Sequence, residues 1–199
     1  MQADVLIRPQ SDGDATEVAD VLANAFVGEP EVVGLERGLS GRSDSWGLVA
    51  VADDVVVGHV RLTRGWVDAP DRIVEVLVLG PLSVAPEYQR QGIGGRLLAR
   101  ALETAEQLEA PAVFLEGDPG YYRRKGWRPA AEIGVTPPSE RIPAPGCQVV
   151  TLTGYQSWMR GRLVYADTFW AHDCVGLRGD DLRAFESDSA QAGQTDPVA

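Results

Sequence analysis

Residues 84–95 read VAPEYQRQGIGG, and this stretch constrains the fold more than any other. An apolar, β-branched run, Ile73–Val84, leads into it. Pro86 breaks that run, and three glycines then fall within four positions, Gly92, Gly94 and Gly95. Beyond them, Gly94–Leu108 reads as a helix. Leu97, Leu98, Ala101, Leu102, Ala105 and Leu108 share one face, and Arg96, Arg100, Glu103 and Glu106 the other. Ala112–Leu115 follows as a short buried strand. Strand, helix, strand implies a parallel crossover, normally right-handed. A helix start offers unpaired N–H groups at the positive end of its dipole, and glycines let a ligand approach them. An anion, phosphate above all, is the natural guest.

The rest of the chain supplies the partners of this unit. Val5–Pro9 reads as a strand. Asp14–Phe26 reads as an amphipathic helix with Val18, Val21 and Leu22 on its apolar face. Residues 27–45, rich in Gly, Glu and Ser, read as a loop or broken helix. Trp46–Ala52 and Val55–Thr63 form a predicted hairpin around Asp53-Asp54, and Arg64–Arg72 a turn region. Gly80-Pro81 inside the long apolar strand predicts a bulge or a place where pairing with one neighbour stops. Tyr121–Lys125 predicts one or two helical turns stopping at Gly126. Ile133–Thr136 and Gln148–Leu152 read as strands around a proline-rich turn. The aromatic stretch 155–175 is expected to pack on the domain. Residues 186–199, small and polar, are expected to be disordered.

Composition narrows the class. At 199 residues, 44% hydrophobic and 24% charged, the chain has the make-up of one globular domain with an extension. It has no apolar run of ~20 residues and no secretory leader, so a cytoplasmic protein without a membrane span is expected. Cys147 and Cys174 make neither a metal-ligand cluster nor a disulfide framework. The net charge of −11 is uneven. Residues 1–60 carry 11 acids and 3 bases, residues 61–130 carry 9 and 10, and residues 131–199 carry 9 and 5. Bases gather near the glycine loop of an otherwise acidic chain. That favours a local anionic ligand over nucleic acid.

No GxxxxGK[ST] motif is present, and a GxGxxG fingerprint fails at Leu97. Instead, Gln89-Arg90-Gln91-Gly92-Ile93-Gly94 resembles motif A of the GNAT acetyltransferase superfamily, [RQ]-x-x-G-x-[GA]. Leu82-Ser83-Val84-Ala85-Pro86 is similar to the end of that family's fourth strand. Tyr121-Tyr122-Arg123-Arg124-Lys125-Gly126-Trp127 resembles its Y-x-x-x-G-[FW] segment. Gly117-Asp118-Pro119 is similar to a bacterial subgroup of predicted N-acetyltransferases. The resemblance covers about residues 5–136. It implies an α/β (α+β) fold with a mixed, mostly antiparallel sheet, in which a parallel fourth and fifth strand splay apart, flanked by helices. The expected division is an acetyltransferase domain at 1–152, a packed extension at 153–185 and the tail at 186–199.

The resemblance also implies acetyl-CoA as cosubstrate, with no metal. Its pyrophosphate would rest on the N–H groups of Arg90, Gln91, Gly92, Ile93, Gly94 and Gly95. Its pantetheine arm would pair with the backbone of Leu82, Ser83 and Val84. Tyr122 would be the acid at the leaving thiolate; Tyr121 stands one residue off the family spacing. The base stays open between Glu116, Asp118 and a relayed water, because Gly117-Asp118 stands where the family usually has an asparagine. Asp118 also suits a helix cap, and Glu75 lies far from Val84. His59 reads as structural, His172 as a surface residue or an acceptor contact, and both cysteines as inert. The expected activity is direct acetyl transfer to a primary amine: a small amine, an amino sugar or a peptide amine. The alternative is a non-catalytic acetyl-CoA-binding sensor or interaction module. A homodimer stays open.

Overall fold

The computed structural model describes residues 5–184; the tail expected at 186–199 lies outside them. Strands β1 (Val5–Pro9), β2 (Ser45–Ala52), β3 (Val55–Asp68) and β4 (Ile73–Val84) form an antiparallel meander. Helices α1 (Ala15–Ala25) and α2 (Pro30–Ser40) lie between β1 and β2. Helix α3 (Ile93–Gln107) carries the chain from β4 to β5 (Ala112–Glu116), which pairs with β4 in parallel. A one-turn helix, α4 (Pro119–Tyr122), precedes β6 (Arg128–Pro129) and β7 (Val135–Thr136). Then β8 (Cys147–Thr151), β9 (Gly161–Val164) and α5 (Asp167–Ala171) follow. The sheet order is β1-β2-β3-β4-β5-β8-β6, with β9 pairing β3 and β7. The mixed, mostly antiparallel sheet with a parallel β4–β5 pair is the architecture expected. No described helix is long and apolar enough to cross a membrane.

Strand β4 is apolar on both faces because both are covered. Leu77 and Leu79 pack beneath α3 with Leu97, Leu98, Ala101 and Ala105. Val74, Val76 and Val78 face Leu35 and Leu39 of α2 and Phe169 of α5. Leu97 and Leu98 are 0% and 2% exposed, and burial of each is worth about 1.5–3 kcal/mol.

Three local differences from the sequence reading have physical causes. Residues 30–40 form a regular helix, begun by Pro30 at its first turn. Its Gly34 and Gly38 are the seat of the His172 ring, which a Cβ at either would approach within 2.9 and 3.1 Å. The expected turn at 64–72 starts later, because β3 runs on to Asp68. Past Thr63, where β2 ends, β9 takes over the free edge, pairing Trp66 with Val164 and Asp68 with Arg162. Residues 130–133 form a short 3-10 turn, leaving a strand at Val135–Thr136 alone.

Candidate active site

The site begins where β4 and β5 part. They share the register pairs Leu77–Val113 and Val78–Phe114 and none beyond. On the opposite edge, β3 slips register between Val60 and Leu62, opposite Gly80-Pro81, as a bulge requires. Past Val78 a cavity of about 850 Å³ opens. Leu79 to Leu82 of β4, and Glu116 at the end of β5 with Gly117 and Asp118 after it, line the cavity. Leu82 therefore reaches the cavity. Ser83 is 3% exposed and pairs with His59 of β3, its hydroxyl without a hydrogen bond. Val84 stands farther along, its methyl beside Gly94, and its carbonyl accepts from Gln89 Nε2 at 3.0 Å.

Helix α3 begins uncapped by any side chain. Gly92, with φ of 85°, turns the chain into it through the left-handed region, where a side chain would be strained. The first intrahelical bond runs from Arg96 N–H to the Gly92 carbonyl, so the N–H groups of Ile93, Gly94 and Gly95 precede the ladder. Ile93 is 3% exposed and anchors the turn in the core. Arg90 also takes a positive φ, 60°, at the exposed crest. Gln91 bonds back to the Glu87 carbonyl through Nε2 at 3.1 Å.

Two further residues reach this loop, Tyr121 from α4 and Lys125 from the 3-10 turn that follows it. A Cβ at Gly94 would lie 2.7 Å from Tyr121 Oη, and one at Gly95 would lie 3.2 Å from Lys125 Nζ. Lys125 Nζ also sits 4.8 Å above the Tyr121 ring. Lys125 thus brings a positive charge to the open helix end. The i, i+4 spacing of Tyr121 and Lys125 on a helical turn was the available signal for that neighbourhood.

Tyr122 points the other way, into the cavity. Its ring meets Tyr121 edge-on at 4.9 Å and Trp127 at 5.9 Å. Burial raises its phenol above the ordinary value, with Tyr121 and Asp118 adding to the effect, so it stays protonated. Asp118 caps α4, accepting from Gly120 N–H at 2.8 Å. Glu116 lies partly buried on the same cavity wall and accepts one N–H, from Gly176, at 3.1 Å. Desolvation raises its carboxyl above the usual carboxylate range; the Gly176 bond and Arg141 oppose that rise.

The remaining candidates lie elsewhere. Glu75 stands at the outer end of β4, 3.4 Å from Arg64. His59 is fully buried, with Nε2 3.2 Å from Gln10 Oε1, in a network with Glu36 and Arg61. Burial and Arg61 lower its pKa to about 3, so it is neutral. Burial, followed by Glu116, raises the Cys147 thiol to about 12. Cys174, raised to about 11, lines the cavity. Tyr165 also lines it, 4% exposed and with its hydroxyl unpartnered. Nothing in the local sequence around Tyr165 or Cys174 marks either as a cavity residue.

The chain is similar to known proteins. A model of the acetyltransferase (GNAT) domain matches residues 6–130. An uncharacterised N-acetyltransferase of Escherichia coli K12, YjhQ, is 34% identical over 125 residues, 59% of this chain and 66% of its own length. A second from that strain, YhbS, is 30% identical over 131 residues, covering 64% and 75%. The crystal structure of E. coli YhbS in complex with CoA superposes with a TM-score of 0.76. The identity is 25%, and the match covers 84% of this chain and 92% of that one. A GNAT acetyltransferase from Brucella melitensis in complex with acetyl-CoA gives 0.64 at 27% identity, covering 84% and 99%. The parted strands, the open helix end and the domain match agree: this chain belongs to the GNAT acetyltransferase family.

Proposed function

We propose that the protein transfers an acetyl group from acetyl-CoA to a primary amine by direct attack. The observation that carries this is one cavity, at the parting of β4 and β5, that holds both Tyr122 and Glu116. The residues fit acetyl-CoA. The uncapped start of α3, from Arg90 to Gly95, with Lys125 beside it, offers N–H groups and positive charge to a pyrophosphate. The edge of β4 that faces β5 is unpaired past Val78, so Leu82 to Val84 can pair with an extended arm.

Bound there, acetyl-CoA supplies an activated acetyl group. The chain's residues have three tasks. An amine with a pKa near ~10.4 must lose a proton before it attacks. Glu116 takes that role, since its raised pKa brings it nearer the range useful for a base. Asp118 is committed to the α4 cap, which favours Glu116 over it. A backbone N–H on the unpaired edge of β4 can polarise the acetyl carbonyl; one such donor is worth roughly 10²–10³ in rate. As the N–C bond forms and the C–S bond breaks, Tyr122 Oη donates a hydrogen bond to the sulfur, the general-acid position. Neither cysteine supports a covalent acetyl-enzyme, because both thiols are raised away from the thiolate.

A panel of amines with acetyl-CoA, followed by free-thiol release, tests the reading. Acceptor-dependent release is expected. CoA binding without release from any amine would instead support a non-catalytic sensor or interaction module.

A further inference from the structure

The family match ends at residue 130, yet Tyr165, Phe169, Asp173 and Cys174 supply much of the cavity wall. These later residues give the cavity two chemically distinct ends. The inner end holds Tyr165 and Glu116. A phenol hydroxyl this buried and unpaired is costly unless a ligand completes it. Glu116 has one N–H donor on Oε2, so its carboxylate can accept more.

The outer end is acidic. Glu29 and Glu31, at the start of α2, and Asp181, from the C-terminal segment, reach the cavity and are exposed. None of the three forms an ion pair with a described residue. Among the described residues of the wall Arg178 is the one base, and it is paired with Asp173. The same cavity is also lined by apolar side chains, Phe26, Val32, Leu35 and Phe169. The described carboxylates do not converge as a metal site would. Cys174 registers both ends at once. After burial, its thiol is raised by Glu31, Asp173, Glu29 and Glu116, so these acids act on one space.

We propose that the acceptor is an aliphatic dication. One nitrogen lies at Glu116 and Tyr165 and receives the acetyl group, while a second, still protonated, is held at Glu29, Glu31 and Asp181. This rests on the acetyl-transfer reading and adds the substrate class. The proton of the inner ammonium passes to Glu116, and Tyr165 Oη hydrogen-bonds the nitrogen as it turns neutral. The outer nitrogen keeps its charge because exposed carboxylates favour the ammonium. Each exposed pair contributes little, so selectivity comes from their sum and weakens with salt.

Calorimetric titration of 1,6-diaminohexane and of hexylamine into the CoA-saturated full chain tests the site, alongside thiol release from acetyl-CoA with the same amines. The diamine is expected to bind about tenfold more tightly. In a Glu29→Gln/Glu31→Gln double variant, and at about 0.5 M salt, that ratio should shrink to about twofold. Equal affinities, or a ratio unmoved by the variant, would overturn the dication. Equal thiol release from both amines would also overturn it and leave acetyl transfer standing. Selective diamine binding without thiol release would uphold the dication site and sink acetyl transfer. A Lys-Lys dipeptide amide in the same titration distinguishes a basic peptide from a free polyamine as the source of the two charges.

Discussion

The ring of Tyr122 lies against Gly117 so closely that a Cβ there would stand 2.5 Å from Cε2. Gly117 thus sets where the phenol points, and it does so by having no side chain. Gly117→Ala should drive the ring out of its place between Tyr121 and Trp127. The overpacking should cost about 1–3 kcal/mol of stability. Turnover should fall at least ~10-fold while CoA affinity changes less than threefold. Thermal unfolding, calorimetry with CoA and steady-state kinetics measure the three effects. Unaltered turnover would show that the ring position does not matter.

Tyr122→Phe removes the hydroxyl and keeps the ring contacts with Tyr121 and Trp127. The expected loss is ~10²-fold in kcat, in the usual range for acid–base groups, with CoA affinity spared. Loss of binding in place of rate would assign Tyr122 to the pocket wall rather than to the chemistry.

The parts of this molecule legible in the sequence are those fixed by neighbours a few residues away. The turn through Gly92 needs a left-handed residue and the helix after it a regular apolar face, so residues 84–108 announce themselves. Tyr122 is legible by its family spacing. What escapes is set by distant contacts. Gly34 and Gly38 argue against a helix until His172, more than 130 residues on, is seen packed over them. The extension of β3 to Asp68 depends on β9. Glu116 and Asp118 look alike in sequence. The structure separates them: Gly176 donates to one, and the other caps α4. Tyr165 is an ordinary core tyrosine by its surroundings, and only the fold turns it toward the cavity.

Lys125 stands beside the start of α3, its ammonium over Tyr121. Lys125→Glu replaces attraction by repulsion at that point. CoA should bind roughly fivefold more weakly at low salt, and the difference should fade at high salt, because the group is exposed. Desulfo-CoA titrations at two ionic strengths would measure it. A salt-independent loss would point to a packing change at Tyr121 instead.

Glu116 makes opposite demands on rate and stability. Its carboxyl is raised from the ordinary 4.5, with desolvation as the largest cause. Below 4.5 both folded and unfolded chains hold the proton, and the group contributes no difference. Between 4.5 and the raised folded value, the folded chain holds the proton while the unfolded chain has lost it. The unfolded state then binds fewer protons, and stability falls as pH rises. Above the folded value the penalty is complete, so Glu116 costs stability at neutral pH. Glu116→Gln should therefore be more stable than the parent at pH 7, and that advantage should vanish as the pH drops toward 4.5. Its rate should behave oppositely. Loss of the base should cost roughly 10²–10⁴ in kcat and remove the acid limb of the pH–rate profile that Glu116 provides. Thermal unfolding at several pH values and kcat/KM across the same range test both at once. A variant that is slower yet keeps the parent's acid limb would show that Glu116 positions the acceptor and that the proton leaves by another route.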